Sequence, residues 1–278
     1  MFAIKKQLIT LMVSTFLILF IFINDGYASE KNEPKQQKRT SLELQLSETN
    51  FNAGRNNLQF RLVSSSGEEY DDDDLVLKHE KKIHLILFDV SLSEFRHLHP
   101  IYEKGLWQVD FNLARNGEYY VWAEGKIKGS NHSFSVSSKL NLQGGSVALP
   151  RNDHLNEKRS GENDKSVVML SDDRLVANHD ATLSFQFDRT DERKPSLSTY
   201  LGEYAHVLVS DLDGQIIHAH PMNHGAQFVI HTKFPKSGDY RIWIEFIDYG
   251  KLKIIPLNVR VYESKNNTDH SATNGHNH

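Results

Sequence analysis

The sequence contains no cysteine. That excludes disulfides, thiolate zinc sites, iron–sulfur clusters, cysteine nucleophiles and anchoring through a lipidated cysteine. Any metal centre must therefore use His, carboxylate, Met or backbone ligands. Methionine is scarce as well, with 4 in 278 residues, and Met222 alone lies near a group of histidines. A surplus of positive charge is missing: 32 Lys and Arg stand against 36 Asp and Glu. The net charge of −4 provides no basic stripe of the kind nucleic-acid partners select. Sustained helical periodicity is absent between residues 42 and 262. So are H-E-x-x-H and G-x-S-x-G, the local signatures of zinc proteases and serine hydrolases.

What the chain does have is 15 histidines and an internal repeat. Residues 97–124 (HLHPIYEKGLWQVDFNLARNGEYYVWAE) align without a gap to residues 218–245 (HAHPMNHGAQFVIHTKFPKSGDYRIWIE) at an offset of 121. Seven of these 28 positions are identical: His97/His218, His99/His220, Pro100/Pro221, Gly117/Gly238, Tyr119/Tyr240, Trp122/Trp243 and Glu124/Glu245. A third histidine recurs upstream as His84 and His206, with one extra residue in the first copy. Each copy thus carries H-x(11–12)-H-x-H-P, and a repeat of this kind sets the organisation of the whole chain.

Residues 1–28 read as an export signal. Lys5 and Lys6 precede an apolar run from Leu8 to Ile23, and Gly26 and Ala28 are the small residues of a cleavage site. The run is short of the roughly 20 apolar residues of a spanning helix. Left uncleaved it would be a membrane anchor, and in either case the remainder faces outward. Residues 29–41 are a polar linker, 42–140 the first repeat, 141–166 a second linker, 167–262 the second repeat, and 263–278 a polar tail bearing His270, His276 and His278.

Within each repeat the pattern is that of strands. Leu58–Val63, Trp107–Leu113 and Leu183–Phe187 alternate apolar and polar residues, while Ile83–Phe88 and Val207–Val209 are short β-rich apolar runs. About seven short strands per copy, separated by turn residues, give an all-β fold: two tandem immunoglobulin-like antiparallel β-sandwich domains. Tyr119, Trp122, Tyr240 and Trp243 are expected to be packing residues.

Alternate residues of a strand share a face, so His97 pairs in direction with His99, and His218 with His220. A three-residue loop at 212–214, within Asp211-Leu-Asp-Gly214, would pair residue 211 with 215 and set His206 opposite His220. A loop one residue shorter or longer would invert the faces. The matching register in the first copy sets His84 opposite His99 and Phe88 opposite Phe95. Each domain would then present three imidazoles from two strands. Imidazole suits copper, zinc and nickel. The expectation is a Cu or Zn ion in each domain, held by His84, His97 and His99 in the first and by His206, His218 and His220 in the second, with His224 as an additional ligand. The same histidines would serve equally as a hydrogen-bonded structural cluster.

The second repeat strings together Y-L-G-x-x-A-H (Tyr200–His206), H-x-H-P (His218–Pro221) and F-P-x-x-G-x-Y-x-x-W (Phe234–Trp243). In this it resembles exported YtkA-like, immunoglobulin-like domains of the bacterial envelope, often associated with heavy-metal and copper handling. The resemblance covers most of residues 170–262 and about half of 42–140. The first repeat lacks Y-L-G and F-P. What the resemblance implies is a periplasmic or extracellular, non-enzymatic metal-binding protein. An immunoglobulin-like interaction module with structural histidines and an envelope protein partner is the first alternative. A zinc-dependent hydrolase is the second, with Glu124 and Glu245 as recurring carboxylates of unassigned position.

Overall fold

The computed structural model describes residues 42–130, 133–172, 174–224 and 227–264, without the side chains of Asn223 and His224. The expected signal segment, the first linker and residues 265–278 of the histidine-bearing tail lie outside the described residues. Every regular element described is a strand, and among the described residues no helix is long and apolar enough to cross a membrane.

Four sheets form. The first holds β1 (Leu42–Leu46), β3 (Gly54–Ser64), β4 (Glu69–Tyr70), β8 (Ile101–Glu103) and β9 (Leu106–Leu113). The second holds β2 (Asn50–Asn52), β5 (Leu75–Val76), β6 (Ile83–Asp89), β7 (Phe95–Leu98), β10 (Gly117–Ile127) and β11 (Ser133–Gln143). The third runs β12 (Ser160–Asn163), β13 (Ser166–Asp172), β14 (Asp180–Arg189), β19 (Gln227–Lys233), β18 (Met222–His224). The fourth contains β15 (Leu197–Ser198), β16 (Ala205–Asp211), β17 (Ile216–Ala219), β20 (Gly238–Asp248) and β21 (Lys251–Val261). Pairing is antiparallel throughout these sheets except between β2 and β11.

The first two sheets enclose one apolar core, with Leu58, Phe60, Leu85, Trp107 and Tyr119 fully buried. The last two enclose another, built on Phe185, Val207, Phe234, Ile242 and Ile255. A third cluster joins them. Ile86, Phe88, Phe95 and Tyr120 from the first half meet Leu208 and Trp243 from the second. The described residues from 42 to 264 accordingly make a single compact unit.

This third cluster explains why β6 and β16 are buried at every position. One face of each strand points into its own core. The other faces the opposite half, so the strands read as unbroken apolar runs rather than alternating ones.

The expected packing aromatics hold these sheets together. Tyr119 Oη donates to the Arg115 carbonyl at 3.1 Å and Tyr240 Oη to the Lys236 carbonyl at 2.8 Å, each four residues upstream. Such a tyrosine corner is a feature of Greek-key sandwiches. Trp243 is buried in the junction, and the half-buried Trp122 donates its indole N–H to the Gly214 carbonyl across it.

The segment expected as a second linker differs from that expectation. β11 continues to Gln143, Leu155 is buried against the junction, and Ser160–Asn163 adds an edge strand to β13. Its polar composition reflects edge exposure, with two apolar side chains, Leu142 and Leu155, tying it down.

Candidate metal centre

The two hairpins that carry the histidines have the register the loop length implies. Asp211 N donates to Gln215 O at 3.1 Å, and Leu208 pairs with His218 and Val207 with Ala219. Phe88 pairs with Phe95 and Ile86 with His97. His84 is thus in line with His99, and His206 with His220. Pro100 and Pro221 follow directly. Each sits where the chain leaves one sheet for the other, between β7 and β8 and between β17 and β18. Proline has no ladder N–H and stops the pairing there.

β10 and β20 bring the recurring carboxylates alongside. Glu124 is the cross-strand neighbour of His84, and Glu245 that of His206. All eight side chains lie on the sheet faces that meet at the junction. The centre is therefore shared between the halves, unlike the separate site per domain expected from the sequence. His97 Nδ1 reaches Glu245 at 2.7 Å, and His218 Nδ1 reaches Glu124 at 2.9 Å. The contacts are reciprocal, as in a two-fold interface. Ring separations across the junction match in the same way: 5.3 Å for His84 to His218 and 5.4 Å for His97 to His206.

Among the described residues, two groups of three histidines have ligand nitrogens within 4.8 Å of one another. The first, His84, His97 and His99, is the set expected for the first repeat. The second combines His206 and His218 with His97, in place of His220. The reason is geometric. The His206 and His218 rings of the second half are 6.3 Å apart, whereas their counterparts His84 and His97 are 5.3 Å apart. His97 fills the gap from across the junction. His220 stays 4.8 Å from His206 and 4.7 Å from His218, ring to ring. His224 lies in β18, and its side chain is outside the described residues.

Hydrogen bonding fixes the tautomers. His84 Nε2 donates to the Lys78 carbonyl at 2.9 Å and His206 Nε2 to the Tyr200 carbonyl at 2.8 Å. A carbonyl only accepts, so in a neutral ring Nδ1 is left bare. The carboxylates claim Nδ1–H of His97 and His218, which in a neutral ring leaves Nε2 bare. Bare nitrogens of His84 and His97 then face each other at 3.0 Å. His206 Nδ1, His99 Nε2 and His220 Nε2 are buried with no hydrogen-bond partner. Burial, reinforced by neighbouring rings, favours the neutral imidazole at two of them: His84 is pushed down to about 3 and His99 to about 2. His206, His218 and His220 are lowered for the same first cause. Burial also raises the Glu124 carboxyl.

Two matching turns flank the histidines. Lys78 and Lys81 exchange backbone hydrogen bonds, as do Tyr200 and Glu203. Their central residues, His79 and Glu80 in one and Leu201 and Gly202 in the other, all have positive φ, as type I′ turns require. These turns supply the carbonyls that hold His84 and His206. The first also carries a histidine that sequence reasoning missed. His79 stacks on His220 with ring centroids 3.7 Å apart and bonds Glu203 at 3.1 Å, again across the junction. Its position, five residues before His84, matches Leu201, five before His206, at an offset of 122. Because the second copy has leucine there, the repeat carried no signal for it. Below the histidines a small cavity is lined by His97, His206, His218 and Glu245, with Ile86, Phe95, Leu208 and Trp243 on its apolar side.

Glu124 and Glu245 each spend an oxygen on a ring N–H. This is the role of a group that orients a ligand and raises its basicity.

Residues 161–263 match the model of a domain family described as a domain of unknown function, DUF8832. No curated protein matches the chain. Among solved structures, the fibronectin(III)-like modules of Clostridium thermocellum CbhA are 12% identical, with 86% of this chain and 98% of that one covered and a TM-score of 0.24. Salmonella alpha-2-macroglobulin is 11% identical, with 81% and 15% covered and a TM-score of 0.26. Domains 5–6 of the S-layer protein SbsC are 10% identical, with 81% and 99% covered and a TM-score of 0.21. The chain spans only a small part of the alpha-2-macroglobulin.

Proposed function

We propose that this chain is an exported, non-enzymatic protein of two immunoglobulin-like sandwiches that binds a divalent transition metal, Cu or Zn, where its halves meet. The observation that carries this reading is the contact between His84 Nδ1 and His97 Nε2 at 3.0 Å. When both rings are neutral, both atoms are bare acceptors, because Lys78 O and Glu245 take the ring protons. Two lone pairs aimed at each other in a dry setting repel, unless a metal ion, or a proton shared as a hydrogen bond, lies between them. Tetrahedral zinc, with bonds of 2.0–2.1 Å, holds its nitrogens about 3.3 Å apart. The six-histidine set, each ring with an inward nitrogen that is bare or unpartnered, fits a cation. The carboxylate-bound His97 and His218 supply the outer support common at metal sites. With neither thiolate nor thioether at hand, Cu(II) and Zn(II) suit the donors.

The rival reading is an interaction module whose histidines are structural. The carbonyl contacts of His84 and His206 and the apolar cluster around Trp243 favour it. Calorimetric titration of the metal-free chain with Zn(II), and separately with Cu(II), decides between them. Stoichiometric uptake that disappears in His97→Gln is expected. Absence of heat and of uptake in the unaltered chain would leave the structural reading standing.

A further inference from the structure

We infer that the centre holds one ion at a time in two mutually exclusive positions, an outer one for capture and an inner one for retention, with exchange around His97; this rests on the metal reading above. The two triads share His97 and nothing else. Glu245 occupies its Nδ1, so a single lone pair, on Nε2, serves both triads. One lone pair coordinates one ion, and the triads cannot both be complete. Their settings differ. The outer triad, His84, His97 and His99, comes entirely from the first half and, the shared His97 apart, lies off the small apolar cavity; His99 and His218 are both partly exposed as residues, but the His218 side chain is buried. The inner triad draws His206 and His218 from the second half, beside the apolar wall of Phe95, Leu208 and Trp243. An ion arriving from solvent meets the outer set first. Replacing His84 and His99 by His206 and His218, while His97 stays bound, carries it inward without release. The inner position then ties the halves together, because its ligands come from both.

The test uses the full chain and Cu(II) alone. Freeze-quenched electron paramagnetic resonance should show an early spectrum converting to a final one while bound copper stays constant at one ion per chain. His99→Gln, at a partly exposed position, should slow capture about tenfold and leave the final spectrum unchanged; His206→Gln should trap the early spectrum and speed release by a similar factor. The first two readouts need no buried substitution. Two copper ions per chain, or one unchanging spectrum with His99→Gln capturing at the normal rate, would overturn the two-position inference and leave the metal reading intact. No uptake by the unaltered chain would remove both.

Discussion

Glu245, in the second half of the chain, accepts a hydrogen bond from His97, in the first, at 2.7 Å, and both side chains are buried. Glu124 and His218 repeat the arrangement in the opposite direction. A carboxylate on the far nitrogen makes the near one more basic and fixes its direction. Such outer partners are worth about 10–100-fold in metal affinity. Glu245→Gln keeps an oxygen for the Nδ1–H and removes the charge. Zn(II) affinity, read by competition with a chromophoric chelator, should fall by about tenfold or more. Unchanged affinity would mean that the pair serves packing alone.

Acid should weaken the metal-free fold. Burial lowers His84 from 6.5 to about 3. Between those values the unfolded chain takes up a proton that the native chain refuses. Stability therefore rises with pH across that window and falls on acidification. His99, lowered to about 2, and His206 and His218 act in the same sense. The urea midpoint should be level above pH 7 and decline from about pH 6.5 downward. His84→Gln should make that decline shallower. A midpoint rising on acidification would contradict the neutral, buried state of these rings.

The junction rests on stacked aromatics. Trp243 lies parallel to Phe95 at 4.8 Å and against Phe88 at 5.6 Å. Truncating a buried Trp costs about 3–5 kcal/mol. Trp243→Ala should lower stability by that amount and weaken metal binding as well, since the inner triad needs both halves in register. Gly214 gives a milder probe. Its φ is +81°, and a Cβ there would lie 2.6–2.7 Å from the Tyr120 ring. Gly214→Ala should cost about 1–3 kcal/mol by overpacking. Denaturant titration checks both, and a neutral result for either would show that the junction yields freely.

Much of this arrangement was legible in the chain. The Asp211-Leu-Asp-Gly214 loop set the hairpin register, and with it the common face of His206, His218 and His220. The very short strands β2, β4, β5, β8 and β15 were not legible, because two or three residues leave no period to detect. The pooling of the two histidine sets was also missed, though it left a trace. Ile83–Phe88 is unbroken in its apolar character around His84, in a strand whose partners are antiparallel. An antiparallel strand with one wet face alternates. The lack of alternation meant that something covered the outer face, and that something is the second half. Glu124 and Glu245 recur in the repeat yet sit 94 and 148 residues from the histidines they hold, His218 and His97. Only cross-strand pairing with His84 and His206 brings them in.

Metal should stabilise the native chain, because the inner triad exists only when the halves are docked. A ligand that binds the folded form alone, present at 100 times its Kd, adds about 2.7 kcal/mol. For 150–250 residues each kcal/mol raises Tm by roughly 2–4 °C. Zn(II) should therefore raise the unfolding midpoint by about 5–10 °C. Unfolded histidines also bind zinc and erode the gain, so the comparison that matters is with His97→Gln. That variant keeps the other 14 of the 15 histidines but removes the nitrogen common to both triads. It should show little shift. Equal shifts in the two proteins would place the bound metal elsewhere on the chain and sever the link between the shared histidine and stability.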